Sequence, residues 1–133
     1  MEPQDRVINK VREDFLFIRD RCFAVLIFGS YARGEENPCS DIDVCIVLKK
    51  GSINRGILYE DIYQNVRMDE YDVVIFEGCD EHLKYEISKD YIIAHCNNPE
   101  ELKKYLTPSP GYTPIKKTRK ELLNELGAVL NAA

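Results

Sequence analysis

The sequence has no tryptophan and only two histidines. His82 and His95 fall on separate predicted elements, with no metal-ligand spacing around either, so each is read as structural or surface. No C-x-x-C pair occurs among Cys22, Cys39, Cys45, Cys79 and Cys96, and their number is odd. This argues against a zinc site or a disulfide framework and for reduced thiols acting as small hydrophobes. No apolar run approaches the roughly 20 residues that span a bilayer. The opening Met1-Glu2-Pro3-Gln4-Asp5 is polar and acidic, unlike a signal peptide, so a cytoplasmic protein without a membrane partner is expected. Positive charge is also short: 18 Lys and Arg against 23 Asp and Glu leave a net charge of −5. Stable nucleic-acid binding is therefore not expected. Carboxylates gathered around divalent cations would still admit a small nucleotide, because the ions reverse the local charge.

What is present suits one domain with its own core: 133 residues, 44% hydrophobic and 31% charged. Val7, Ile8, Val11, Phe15 and Ile18 recur at helical spacing and predict a helix over 5–20. Phe23 to Phe28 is a continuous apolar run that predicts a buried strand ending in Gly29-Ser30. Residues 31–40 read mostly as loop, with a short helix beginning just after Ser30. A second strand is predicted over 41–48. Ser52 would cap a helix to about residue 66, with Ile53, Ile57, Ile62 and Val66 as part of its apolar face. Residues 71–76 read as a third strand, 80–89 as a short helix and 91–94 as a fourth strand. Asn98-Pro99-Glu100-Glu101 marks a helix start, and that helix is predicted to end near Leu106.

The proline-rich stretch 107–117 reads as a linker. Thr118 and Glu121 have capping-box spacing before the stripe Leu122, Leu123, Leu126, Val129 and Leu130. The expected organisation is thus a body over 1–106, the linker, and an amphipathic C-terminal helix over 118–133. Such a stripe packs back on the body, pairs with a second copy as a homodimer, or docks a partner; the first two are the general rule. Lys116, Lys117, Arg119 and Lys120 read as a solvated basic face.

The chemistry-bearing residues cluster early. Asp41 and Asp43 are two apart on a strand, so their side chains share a face, with Ile42, Val44, Ile46 and Leu48 on the other. Two such carboxylates repel and need a cation or protons to coexist. Oxygen ligands in this arrangement suit magnesium or manganese bridging to phosphates. Gly29 lets the backbone approach a ligand, and Ser30 offers a hydroxyl. Arg33 can pair with phosphate or brace the same turn. Asp72, in the third strand, can join the acids if strands two and three are neighbours. Tyr31 either stacks on a base or covers core. Each feature alone has a bland reading, as a solvated acid, a common turn or a surface salt bridge. Together they are much more specific.

Gly29-Ser30-Tyr31-Ala32-Arg33-Gly34 followed by Ser40-Asp41-Ile42-Asp43-Val44 resembles the DNA polymerase β-like nucleotidyltransferase superfamily. More narrowly, it looks like the minimal nucleotidyltransferases marked by GS, ten residues and DxD. The resemblance covers roughly residues 5–95. It implies an α/β (α+β) nucleotidyltransferase fold: a small, mixed, mainly antiparallel sheet of about four strands flanked by helices, here with the added C-terminal helix. It implies that Asp41 and Asp43 bind two Mg2+ ions, or Mn2+, with Asp72 as the third carboxylate helping to activate the attacking hydroxyl. Gly29 and Ser30 would hold the triphosphate of the substrate, ATP. Minimal nucleotidyltransferases of this type resemble antitoxins encoded beside HEPN-type toxins, which transfer AMP to a toxin tyrosine. The shortness of the chain fits an acceptor on a partner protein. The alternatives are a non-catalytic toxin-binding module, which gains nothing from like charges held close, and transfer to a small-molecule or RNA acceptor.

Overall fold

The computed structural model describes residues 3–36, 40–49 and 54–108. The first helix, α1 (Pro3–Asp14), stops earlier than the apolar spacing predicted. Leu16–Arg21 winds as a 3-10 turn instead. In that tighter winding, residues three apart eclipse one another. Phe15 and Ile18 therefore stay together on the core side, 2% and 0% exposed, while Leu16 and Phe17 are left at the surface. The same turn redirects the chain into β1 (Cys22–Phe28).

β1 is a central strand. It pairs antiparallel with β2 (Ile42–Leu48) on one side and β4 (Tyr91–Cys96) on the other. β3 (Tyr71–Ile75) lies parallel to β2. The order β3-β2-β1-β4 makes the mixed, mainly antiparallel sheet that the resemblance implied. Helices cover both faces, which is why β1 reads as an unbroken apolar run. One face packs Val25, Ile27, Val44 and Ile46 with Val11 of α1 and with Leu58 and Ile62 of α3 (Arg55–Asn65). The other packs Ala24, Leu26, Cys45 and Val47 with Ile87 of α4 (Glu81–Lys89) and with Leu102 and Leu106 of α5 (Pro99–Leu106).

Most boundaries hold to within two residues, and the differences have local causes. α3 is capped by Asn54, whose side chain accepts from the Gly56 N–H at 2.8 Å. Ile57, assigned to the apolar face, is 54% exposed. Leu58 and Ile62, four apart, set the helix phase and rotate their neighbour Ile57 outward. α4 is capped by Asp80 and α5 by Asn98, with Pro99 in the first turn as predicted. β4 runs two residues further than predicted, to Cys96.

Cys22 and Cys45 are buried and Cys79 and Cys96 half-buried, all four as free thiols. Among the described residues no helix is long and apolar enough to cross a membrane. Cys39, Ser52, most of the 107–117 linker and the C-terminal helix over 118–133 lie outside the described residues.

Candidate functional site

The end of β1 and the start of β2 bring the motif together. β1 gives way at Gly29 to the short helix α2 (Gly29–Arg33), which begins two residues earlier than expected. Gly29 has φ +69°, in the left-handed region that glycine enters without steric cost. A β-carbon there would stand only 3.0 Å from the carboxyl carbon of Asp43 and inside contact distance of a carboxylate oxygen. The glycine is thus required twice, by its backbone angle and by the acid lying against it. Gly34, at φ +70°, ends α2. The Glu35 N–H then donates to the Ser30 carbonyl at 2.8 Å, closing the turn.

Asp43 lies opposite Phe28 on β1 and opposite Asp72 on β3. Adjacent strands run about 4.8 Å apart, so residues in register on one face meet side by side. The condition set for Asp72, that strands two and three be neighbours, is met. Asp41 immediately precedes β2. Asp41 and Asp72 are exposed and Asp43 is half-buried. Burial, then the charges of Asp72 and Asp41, push the Asp43 carboxyl up to about 6, against an opposing pull from Arg33. This is the mutual repulsion that the Asp-x-Asp spacing predicted, now extended across two strands.

Among the described residues, no three His, Cys, Asp or Glu side chains enclose a ready-made metal site. The acids instead form an open, oxygen-only edge. Magnesium is commonly held in such a setting by one or two carboxylates plus substrate phosphates and water. A divalent cation would also supply the positive charge that Asp43 lacks, so the donor set fits a hard cation.

Arg33 is exposed, and its Nε donates to Glu35 at 2.9 Å, so here it braces the turn. Tyr31 packs its ring on the core's edge, and its hydroxyl reaches the Ser40 carbonyl at 3.5 Å. In this arrangement it covers part of the core. His82 is exposed on α4 and His95 is on β4 opposite Val25, both apart from the acids.

One supporting group escaped the sequence reading. The Tyr71 hydroxyl donates to Asp14 at 2.5 Å, and Lys10 bridges Asp14 at 3.0 Å and Glu70 at 2.9 Å. The Ile42 N–H donates to the Glu70 carbonyl at 3.0 Å. These contacts anchor α1 to the residues that launch Asp43 and Asp72 into the site. The only sequence signal was the i, i+4 spacing of Lys10 and Asp14.

The family model described as polymerase beta, nucleotidyltransferase, matches residues 14–100. A relative from Methanocaldococcus jannaschii, provisionally named a protein adenylyltransferase, is 35% identical over 71 residues, covering 53% of each chain. This chain thus matches only about half the length of that relative. A chain of a crystal structure described as the toxin-antitoxin with AMP-PNP is 16% identical, with 98% of this chain and 94% of that one covered and a TM-score of 0.52. A chain of the toxin-antitoxin MntA-HepT is 14% identical, with 96% and 97% covered and a TM-score of 0.51. At such identities these two likenesses speak for the fold, and the family model, running from the end of α1 through β4, speaks for the family. The chain belongs to the polymerase beta nucleotidyltransferase family.

Proposed function

We propose that this protein transfers AMP from ATP to a tyrosine hydroxyl of a HEPN-type toxin and so acts as its antitoxin. The observation that carries the reading is the meeting of Asp43, Asp72 and Gly29 at one strand edge. It is supported by the solved toxin-antitoxin complexes that share the fold, one of them holding an ATP analogue, and by the adenylyltransferase name of the archaeal relative.

In this reading Asp41 and Asp43 would hold two magnesium ions, or manganese, with Asp72 as the third carboxylate, and the ions would supply positive charge against the negative charge that develops during transfer. The α2 turn, with Gly29 and Ser30, holds the triphosphate. Arg33 leaves Glu35 to pair with a phosphate oxygen. Asp72 takes the proton of the acceptor hydroxyl. The acceptor oxygen then bonds to the α-phosphorus as the bond to the pyrophosphate oxygen breaks, and pyrophosphate leaves. Alignment of hydroxyl and phosphorus supplies much of the remaining barrier reduction.

Labelled ATP, magnesium and the adjacent gene product form the direct test. The reading expects label on a partner tyrosine, lost in Asp41→Asn and Asp43→Asn. Partner neutralisation by those variants at wild-type strength would instead mark a non-catalytic binding module. Label appearing only on a small molecule or RNA would reassign the acceptor.

A further inference from the structure

A cleft of about 420 Å³ opens between α1, the Leu16–Arg21 turn and β4. It is remote from the acids. His95, on its wall, pairs with Val25, three residues back along β1 from the Phe28 that faces Asp43, and β4 lies on the opposite side of β1 from β2. Its volume falls within the usual range for small-ligand sites, ~300–1,000 Å³.

Local structure shapes this wall. Val25 pairs with His95 and Leu26 with Ile93, so Ala94 bulges out of the ladder. Bulges re-aim neighbouring side chains. The Ala94 carbonyl is taken by Arg12 Nε at 2.6 Å. His95 hydrogen-bonds to the Arg19 backbone, and its Nε2 is buried with no partner. A buried polar atom left without a partner is uncommon in native interiors. Around it, Phe15, Leu16 and Ile93 supply apolar wall, and Arg12 and Arg19 supply positive charge in a chain of net charge −5. Leu16 remains 59% exposed at the rim.

We propose that this cleft is a second binding site for a small amphipathic anion, whose carboxylate or phosphate head meets Arg12 and Arg19 and whose apolar body lies on Leu16 and Ile93. The charge complementarity picks an anion, and the volume limits it to a small molecule. The site is distinct from the strand edge that carries Asp43 and Asp72.

Titration of the isotope-labelled full chain by NMR tests this, with octanoate, octyl phosphate and octanol as probes. Saturable shifts should gather at Leu16, Ile93 and His95 with one or both anions, and the tighter anion identifies the head group. Octanol should bind about tenfold more weakly, the discrimination expected of a charge-assisted contact. Arg19→Gln should bring the anions part of the way to the octanol level, with Arg12 still in place, and Leu16→Ser, at an exposed position, should weaken all three probes. ATP-induced shifts at Gly29 and Ser30 should persist in both variants. Octanol binding as tightly as the anions, anion affinity unchanged in both variants, shifts spread over exposed Ile57 and Tyr63, or no saturable shift would each overturn the proposal.

Discussion

Asp43 on β2 stands opposite Asp72 on the parallel strand β3, and each acid reaches its place from a different part of the chain. Burial, and then the like charges of Asp72 and Asp41 beside it, make Asp43 hold its proton up to a pH of about 6.

That response sets a pH signature. The folded carboxyl titrates above its unfolded value of 3.8, so the folded state binds the extra proton between those values. Stability therefore falls as pH rises from about 4 through 6, and the cost is fully present above that window. Asp43→Asn should raise metal-free stability at pH 8 by about 1 kcal/mol, discounted for partial solvent access, while lowering transfer at least a hundredfold. Magnesium should raise the melting temperature of the wild type and leave that of the variant nearly unchanged. Thermal melts in chelator and in magnesium, at pH 4 and 8, check both statements.

Gly29→Ala should damage the site more than the fold. The left-handed backbone costs an alanine ~1–2 kcal/mol. The added methyl also pushes Asp43 aside, which should lower kcat about a hundredfold, the scale of a misplaced catalytic group. Single-turnover transfer and melting temperature measure the two effects separately.

Tyr71→Phe should destabilise by about 1 kcal/mol, the loss of one hydrogen bond to a half-buried carboxylate. Burial works to raise the Asp14 carboxyl, but the bonds from Tyr71 and Lys10 overcome it and hold the acid below its ordinary value. The stability that this adds is present above 3.8 and lost as pH falls through the folded value. The deficit of Tyr71→Phe should therefore shrink in acid, as denaturant midpoints across pH will report.

Arg33→Gln should raise KM for ATP about tenfold with little change in kcat, as expected when a ground-state phosphate contact is removed. A drop in kcat with unchanged KM would assign Arg33 to bracing the turn alone.

Removal of residues 107–133 should leave magnesium and nucleotide binding intact, because the acids and the α2 turn lie wholly within the body. Calorimetry on the shortened chain checks this boundary; loss of both affinities would extend the functional domain into the C-terminal segment.

Much of this was legible from residue order. The apolar run of β1 showed a strand buried on both faces, Asn98-Pro99 showed a helix start, and Gly29-Ser30 marked the turn that ends β1, because these signals are local. The break of the first helix after Asp14 was hidden, since Phe15 and Ile18 keep a helical spacing in either winding. The phase of α3 was hidden too: Ile57 and Leu58 are equally apolar, and only the sheet beneath them selects which one is buried.

By itself, then, the sequence determined most of the elements, the turn glycine and the placing of Asp41 and Asp43 at the head of β2, because apolar periodicity and glycine's backbone freedom act over a few residues. Only the tertiary structure decided that β3 lies beside β2 in the register that sets Asp72 against Asp43, that α1 braces that edge through Tyr71, and that Gly29 touches Asp43. Strand order and register depend on which apolar faces bury each other across the whole chain, and no short window of residues contains that information.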